Sequence, residues 1–202
     1  MHNKILFLDH DGVLCIHNNW GSRAKKLARY KRTNPKWADD LITPLECRFD
    51  NFDPGCVEIL NQILQTTGCD IVVTSDWRNG ANLEEMGNYY TSQGIIKKPI
   101  DYTPKFSWNW KKDGFLPTSE EFPWSRAHDL EQERYFEIKK WLLENGTPQN
   151  WVVVDDLQLG KNIMDYSREW ERDWGFENFV RTNMFEGIKA QGVIKNIIDF
   201  LA

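Results

Sequence analysis

Asp9 and Asp11 flank His10 and precede Gly12-Val13-Leu14, and a second acidic pair, Asp155-Asp156, stands far downstream. Between them lie Thr74 and Ser75, so four carboxylates and two hydroxyls are in question. An isolated Asp-x-Asp-Gly often does no more than cap a turn. Two acidic clusters brought together behave differently, because unit charges ~4 Å apart repel by about 4 kcal/mol at an effective dielectric of ~20. Such a group needs a cation. Its donors are all oxygen, with no histidine or cysteine among them, which suits a hard ion. Mg²⁺ fits best, since it accepts one or two carboxylates, waters and a substrate phosphate. Asp9, Asp11, Asp155 and Asp156 are therefore the candidate metal ligands.

The clusters share a local context. Each follows a short apolar run: Ile5-Leu6-Phe7-Leu8, Ile71-Val72-Val73 and Val152-Val153-Val154. A run that is apolar on every residue reads as a strand covered on both faces, as in parallel sheets with helices above and below. Ligands of such sheets bind beyond the carboxyl ends of the strands, so the three polar clusters are expected to converge on one crevice. Helices fall between the strands. Asp53 is an N-cap with Pro54 after it, Val57, Leu60, Ile63 and Leu64 form one apolar face, and Gly68 ends the helix. Further helices are expected at about 83–92, 129–144 and 188–201, with strands near 4–8, 70–74, 151–154 and 179–182. The alternation predicts an α/β fold: a doubly wound parallel sheet built from right-handed βαβ units, in a single domain over 1–202. Residues 15–51 read as a cap insertion. Residues 97–128 read as an ordered, irregular, aromatic-rich insertion holding Trp108, Trp110 and Trp124.

Composition narrows the class. The chain has 202 residues and a formal net charge of −5, which argues against a protein that coats duplex DNA nonspecifically. Its four cysteines, Cys15, Cys47, Cys56 and Cys69, are scattered without zinc spacing and read as reduced thiols of a cytoplasmic protein. No stretch approaches the ~20 apolar residues of a membrane span, and the N-terminus enters a strand almost at once, where a signal peptide would be basic and then apolar.

The ordered set Asp9-x-Asp11-Gly-Val-Leu, then Thr74-Ser75, then Asp155-Asp156, each after a hydrophobic strand, resembles the haloacid dehalogenase-like (HAD) superfamily of phosphotransferases. Ile-Val-Val-Thr-Ser-Asp-Trp-Arg, Arg134-x-x-Glu137-Ile138 and Trp-Val-Val-Val-Asp-Asp are similar to the subgroup associated with nucleic-acid (RNA) repair proteins. The resemblance implies a Rossmann-like core and an aspartyl-phosphate mechanism. Asp9 would be the nucleophile, and Asp11 the acid that protonates the leaving oxygen and then the base that activates water. Thr74, with Ser75, would hold a phosphoryl oxygen. Asp9, the backbone carbonyl of Asp11 and the Asp155-Asp156 pair would bind Mg²⁺, with Asp156 favoured as the ligand and Asp155 as its neighbour. The superfamily usually supplies a lysine before the last acidic motif. Here Arg134 stands at the matching position, with Lys139 and Lys140 as alternatives.

The substrate is addressed by a different segment. Between Trp20 and Trp37 lie seven basic residues, Arg23, Lys25, Lys26, Arg29, Lys31, Arg32 and Lys36, interleaved with aromatics and free of acidic residues. That mixture suits a single-stranded nucleic-acid end or a nucleotide. The competing reading is a solvated amphipathic helix with Leu27 and Tyr30 packed inward. Arg78, just past the second motif, is expected to contact the phosphate. His10 is expected to point away from the aspartates by the alternation of an extended segment. The sequence thus points to a phosphomonoesterase acting on a nucleotide or polynucleotide phosphate. The alternatives are a phosphatase of a small metabolite or phosphoprotein, or a catalytically silent binding module.

Overall fold

The computed structural model describes residues 3–17, 21–34, 43–105, 126–161 and 174–202. The three apolar runs form the inner strands β1 (Lys4–Leu8), β2 (Asp70–Val73) and β4 (Asn150–Asp155), and the edges are β3 (Asp101–Tyr102) and β5 (Phe179–Arg181). The five strands lie in the order β3-β2-β1-β4-β5. Every neighbouring pair is parallel.

Both faces of this sheet are covered, which is why the strands lack polar alternation. Leu6, Leu8, Ile71, Val73, Val152 and Val154 point to one side, where they pack with α3 (Pro54–Thr67), α4 (Leu83–Ser92) and α6 (Val193–Leu201). Ile5, Phe7, Val72 and Val153 point to the other, against Ile138, Trp141 and Leu142 of α5 (Arg126–Asn145). The sheet is therefore doubly wound, as the alternation of elements predicts. The start of α3 follows its expected chemistry: the Asp53 carboxylate accepts from the Cys56 N–H, Pro54 occupies the first turn, and Gly68 ends the helix at φ 70°.

Several elements depart from expectation. β3 falls in the stretch read as irregular, because two residues are too few to carry a period. α5 begins at Arg126, three residues before the expected Asp129. The expected final helix is two pieces, a 3₁₀ turn at Gly187–Lys189 and then α6, separated where Ala190 is extended and Gly192 adopts φ 85°. The segment read as a cap contains α1 (Arg23–Thr33) and α2 (Leu45–Arg48). No residue of α1 is buried, and Lys26, Leu27 and Tyr30 are half-buried. Lys26 anchors α1 by donating to Asn51 Oδ1 at 2.7 Å. Trp20, Lys36, Trp37, Trp108, Trp110 and Trp124 lie outside the described residues. All four cysteines are free. Among the described residues no helix is long and apolar enough to cross a membrane.

Candidate active site

Strand register alone brings the three polar clusters to one level. Leu8 pairs with Val73 on one side and Val154 on the other. The residues that follow, Asp9, Thr74 and Asp155, therefore emerge side by side. Backbone bonding holds them there: the Asp9 N–H donates to Val154 O at 3.1 Å, and the Thr74 N–H to Leu8 O at 3.0 Å. All three side chains are buried.

The chain then turns tightly. The carbonyl of His10 accepts from the N–H groups of Val13, Leu14 and Cys15 at 3.2, 2.8 and 2.8 Å. Gly12 adopts φ 68°, and a Cβ there would overlap the carboxylate of Asp156, so only glycine lets the turn approach the second acidic pair this closely. His10 does point away from the aspartates. Its Nε2 lies 2.7 Å from the Tyr90 hydroxyl, and burial, helped by the Arg134 charge, pushes its pKa down to about 3.

Arg134 reaches the cluster from α5. Its Nη1 donates to Asp9 Oδ1 at 3.0 Å and Asp155 Oδ2 at 2.9 Å, and it lies 3.4 Å from Thr74 Oγ1. Burial alone would disfavour its charge, but Asp155, Asp9 and Glu137 outweigh that and hold the guanidinium firmly protonated. Lys139 is exposed on α5, and Lys140 pairs with Glu144 at 4.0 Å. Five residues along a helix turn a side chain by about 140°. That rotation carries Lys139, the alternative to Arg134 and a candidate for binding substrate, away from the face Arg134 uses, so the structure does not bring it to the cluster.

Arg78 is engaged differently from a phosphate contact. Its Nη1 donates to Thr74 O at 2.6 Å and Thr103 Oγ1 at 2.7 Å, and its Nη2 to Glu137 Oε1 at 2.5 Å. Glu137 in turn lies 3.8 Å from Arg134 Nε. A buried chain of alternating charge thus runs Arg78, Glu137, Arg134, Asp9. Glu137 belongs to the Arg134-x-x-Glu137-Ile138 motif, but its role as the link between the two arginines, and the part of Thr103, follow only from the structure. Ser75 is buried and its Oγ accepts from the Trp77 N–H at 3.4 Å, capping the 3₁₀ turn at Asp76–Asn79.

Asp11 stands apart from this chain. Its Oδ2 accepts from Trp77 Nε1 at 3.0 Å. Burial, and then the charge of Asp9, raise its pKa to about 6, against the lowering effect of the Trp77 N–H.

Oxygens of Asp9, Asp155 and Asp156 lie within 4.8 Å of one another. The carboxylate of Asp11 is not a member of this group. Asp155 is fully buried, with Oδ1 accepting from the Leu157 N–H at 2.9 Å and Oδ2 from Arg134. Burial and Asp9 raise the pKa of both Asp155 and Asp156, against the pull of Arg134. Three carboxyl groups share one guanidinium, which can balance only one of them when ionised, and all donors are hard oxygens. That set fits a divalent cation such as Mg²⁺.

The model of a family described as the HAD domain in Swiss Army Knife RNA repair proteins matches residues 5–193. No curated protein and no solved structure matches the chain significantly. The matched stretch takes in all five strands save Lys4 of β1, with the turn after β1, Arg134 and the Asp155-Asp156 pair. The chain therefore belongs to the family of HAD domains in Swiss Army Knife RNA repair proteins.

Proposed function

We propose that the chain is a Mg²⁺-dependent phosphomonoesterase that removes a phosphate from a nucleotide or polynucleotide end through an aspartyl-phosphate. The observation that carries this reading is the convergence of Asp9, Asp155 and Asp156 with one arginine at the carboxyl end of the sheet.

A carboxylate oxygen of Asp9 attacks phosphorus, the bond to the ester oxygen breaks, and Asp11 gives that oxygen its proton. Asp11, now ionised, takes a proton from a water that attacks the same phosphorus. The Asp9–phosphorus bond breaks, inorganic phosphate leaves, and Asp9 and Asp11 return to their starting states. A carboxyl whose pKa is raised to about 6 suits both halves of this cycle, being poised near neutral pH. Arg134 and Thr74 face the phosphoryl oxygens, the first neutralising charge and the second donating its hydroxyl. Arg78 acts as a positioning residue, holding Glu137 and through it Arg134. Asp9, Asp156 and the backbone carbonyl of Asp11 would hold Mg²⁺, with Asp155 beside them. When bound, the ion supplies positive charge to the reacting phosphoryl group.

The substrate class rests on the family and on the basic helix α1. Asn51 accepts from Lys26 and its N–H donates to Gly21 O at 3.1 Å, so α1 is tied to the segment leading into α3. Arg23, at its start, is close enough to favour the ionised form of Asp11. We read residues 15–51, with α1 and α2, as the cap over the crevice and 97–128 as a second insertion.

A panel of phosphorylated nucleotides, oligonucleotides, sugars and peptides, with Mg²⁺ and with Asp9→Asn as the blank, tests the reading. Hydrolysis is expected to be strongest on oligonucleotide ends and to weaken with salt. Equal rates on mononucleotides and oligonucleotides with no salt slope remove the polynucleotide claim. Hydrolysis confined to sugar or peptide phosphates moves the substrate to a metabolite or phosphoprotein. No hydrolysis at all leaves a silent binding module.

A further inference from the structure

Beyond the end of β5 the chain presents an aromatic ring to solvent. Phe185 is 66% exposed and its neighbour Met184 49%, so neither serves the core. The turn beneath the ring is pinned: Asn183 Oδ1 accepts from the N–H groups of Phe185 and Glu186, both at 2.9 Å, and the Gly187 N–H donates to Asn183 O at 2.8 Å. Gly187 sits at φ 59° where a Cβ would overlap the carbonyl of Val13.

The same turn is fastened to the loop that carries Asp9 and Asp11. Thr182 Oγ1 donates to Gly12 O at 2.9 Å, the Ile188 N–H to Val13 O at 3.1 Å and the His17 N–H to Met184 O at 2.5 Å. His17, itself exposed, lies edge-on to Phe185 with ring centroids 6.0 Å apart. At the other end of the turn Arg181 pairs in register with Asp155 and donates from Nε to the Asp156 carbonyl at 3.1 Å. Its two Nη atoms have no partner among the described residues. A cation near Asp156 and a ring pair on the turn fastened to the loop after β1 are thus held in place, and neither is used by the chemistry above.

We propose that this turn is a nucleotide subsite: Phe185, buttressed edge-on by His17, stacks the base of the nucleotide that carries the scissile phosphate, and Arg181 binds the adjoining phosphodiester. Base stacking on aromatic side chains tolerates any sequence, and the two Nη groups of a guanidinium can donate a forked pair of hydrogen bonds to phosphate oxygens. The subsite rests on the polynucleotide reading and makes it more specific, since a mononucleotide has no adjoining phosphodiester and a sugar phosphate has no base.

The test removes the partner from the substrate as well as from the protein. Short oligonucleotides with one terminal phosphate are compared with versions that are abasic at the terminal nucleotide, or that carry an uncharged methylphosphonate at the adjoining linkage. The wild-type protein should show a KM about tenfold lower with the base than without it. In Phe185→Ala that ratio should collapse to about one, and Phe185→Trp should restore it, the exposure of the ring keeping both variants folded. The methylphosphonate should raise the wild-type KM several-fold but leave that of Arg181→Gln where it already stands. If oligonucleotide ends are hydrolysed and the base ratio survives in Phe185→Ala, the subsite is wrong and the enzymatic reading stands. If generic phosphate esters are hydrolysed and no oligonucleotide end is, the polynucleotide reading falls and takes the subsite with it.

Discussion

The indole Nε1–H of Trp77 donates to Oδ2 of Asp11 at 3.0 Å. The ring cannot swing away. It stacks on Phe49 at 4.7 Å and on Phe52 at 5.6 Å, with interplanar angles of 11° and 13°. Both phenylalanines lie between α2 and α3, so the segment joining these helices fixes the direction of the proposed acid. A carboxyl that must first donate and then accept a proton gains from being held in one orientation throughout.

Trp77→Phe keeps the stack and removes only the N–H. The N–H favours the ionised carboxylate, so its loss makes Asp11 a weaker acid and moves the basic limb of the kcat/KM profile to higher pH. Turnover should fall by about tenfold, as expected for a hydrogen bond to a charged group worth about 1.5–3 kcal/mol. A pH profile identical to that of the wild type would show that the indole supports packing alone.

Arg134 carries a larger share. Arg134→Ala should lower turnover by about 10³-fold, the scale of losing one preorganised donor at a developing charge. Lys139→Ala should stay within about twofold, because surface changes away from a site have small effects. The same Arg134→Ala leaves Asp9 and Asp155 buried without their cation, which costs about 3–5 kcal/mol of stability. Denaturant titration checks the second effect, and Mg²⁺ should recover more stability in the variant than in the wild type. Equal losses for the arginine and Lys139 variants would refute the assignment.

Much of this site is legible in the sequence because its members follow strands with the strongest pattern a chain can carry, apolar on every residue. Asp9, Thr74 and Asp155 are each one step from a fixed register, and Arg134 is fixed by its spacing from Ile138 on a helix. What is not legible depends on partners distant in the chain. Arg78 beside a phosphate motif reads as a phosphate ligand, yet its guanidinium is taken by Glu137, 59 positions away. The bond from Trp77 to Asp11 depends on how the turn after β1 folds, and Phe185 becomes conspicuous only once its exposure is known. β3 is missed for a simpler reason: two residues contain no period.

Asp53 links the start of α3 to the turn before α6, accepting from the Cys56 N–H at 3.1 Å and from Lys189 Nζ at 2.9 Å. Asp53→Ala should cost about 1–2 kcal/mol, the usual loss of an N-cap. Partial burial would raise the pKa of Asp53, but Lys189 and the Cys56 N–H outweigh it and hold the carboxyl below its ordinary value. A depressed folded pKa means that the contribution is complete above the unfolded value of about 4 and is lost as pH falls through the folded one. The gap in melting temperature between wild type and variant should therefore be constant near neutral pH and close in strong acid. A gap that widens on acidification would contradict the pairing.

The cluster of carboxyl groups at the carboxyl end of the sheet gives the most direct test of the proposed metal site. Asp156 is the least engaged of the three clustered carboxylates, and burial and Asp9 already disfavour its ionised form. Without a divalent ion, Asp156→Asn removes repulsion and should melt at a higher temperature than the wild type. With Mg²⁺ the order should reverse, because the wild type gains RT ln(1 + [L]/Kd), about 2.7 kcal/mol at 100 times Kd, and the variant gains less. Differential scanning fluorimetry with and without Mg²⁺ reads the crossing. Curves that keep the same order in both conditions would mean that Arg134, and no bound cation, balances this cluster.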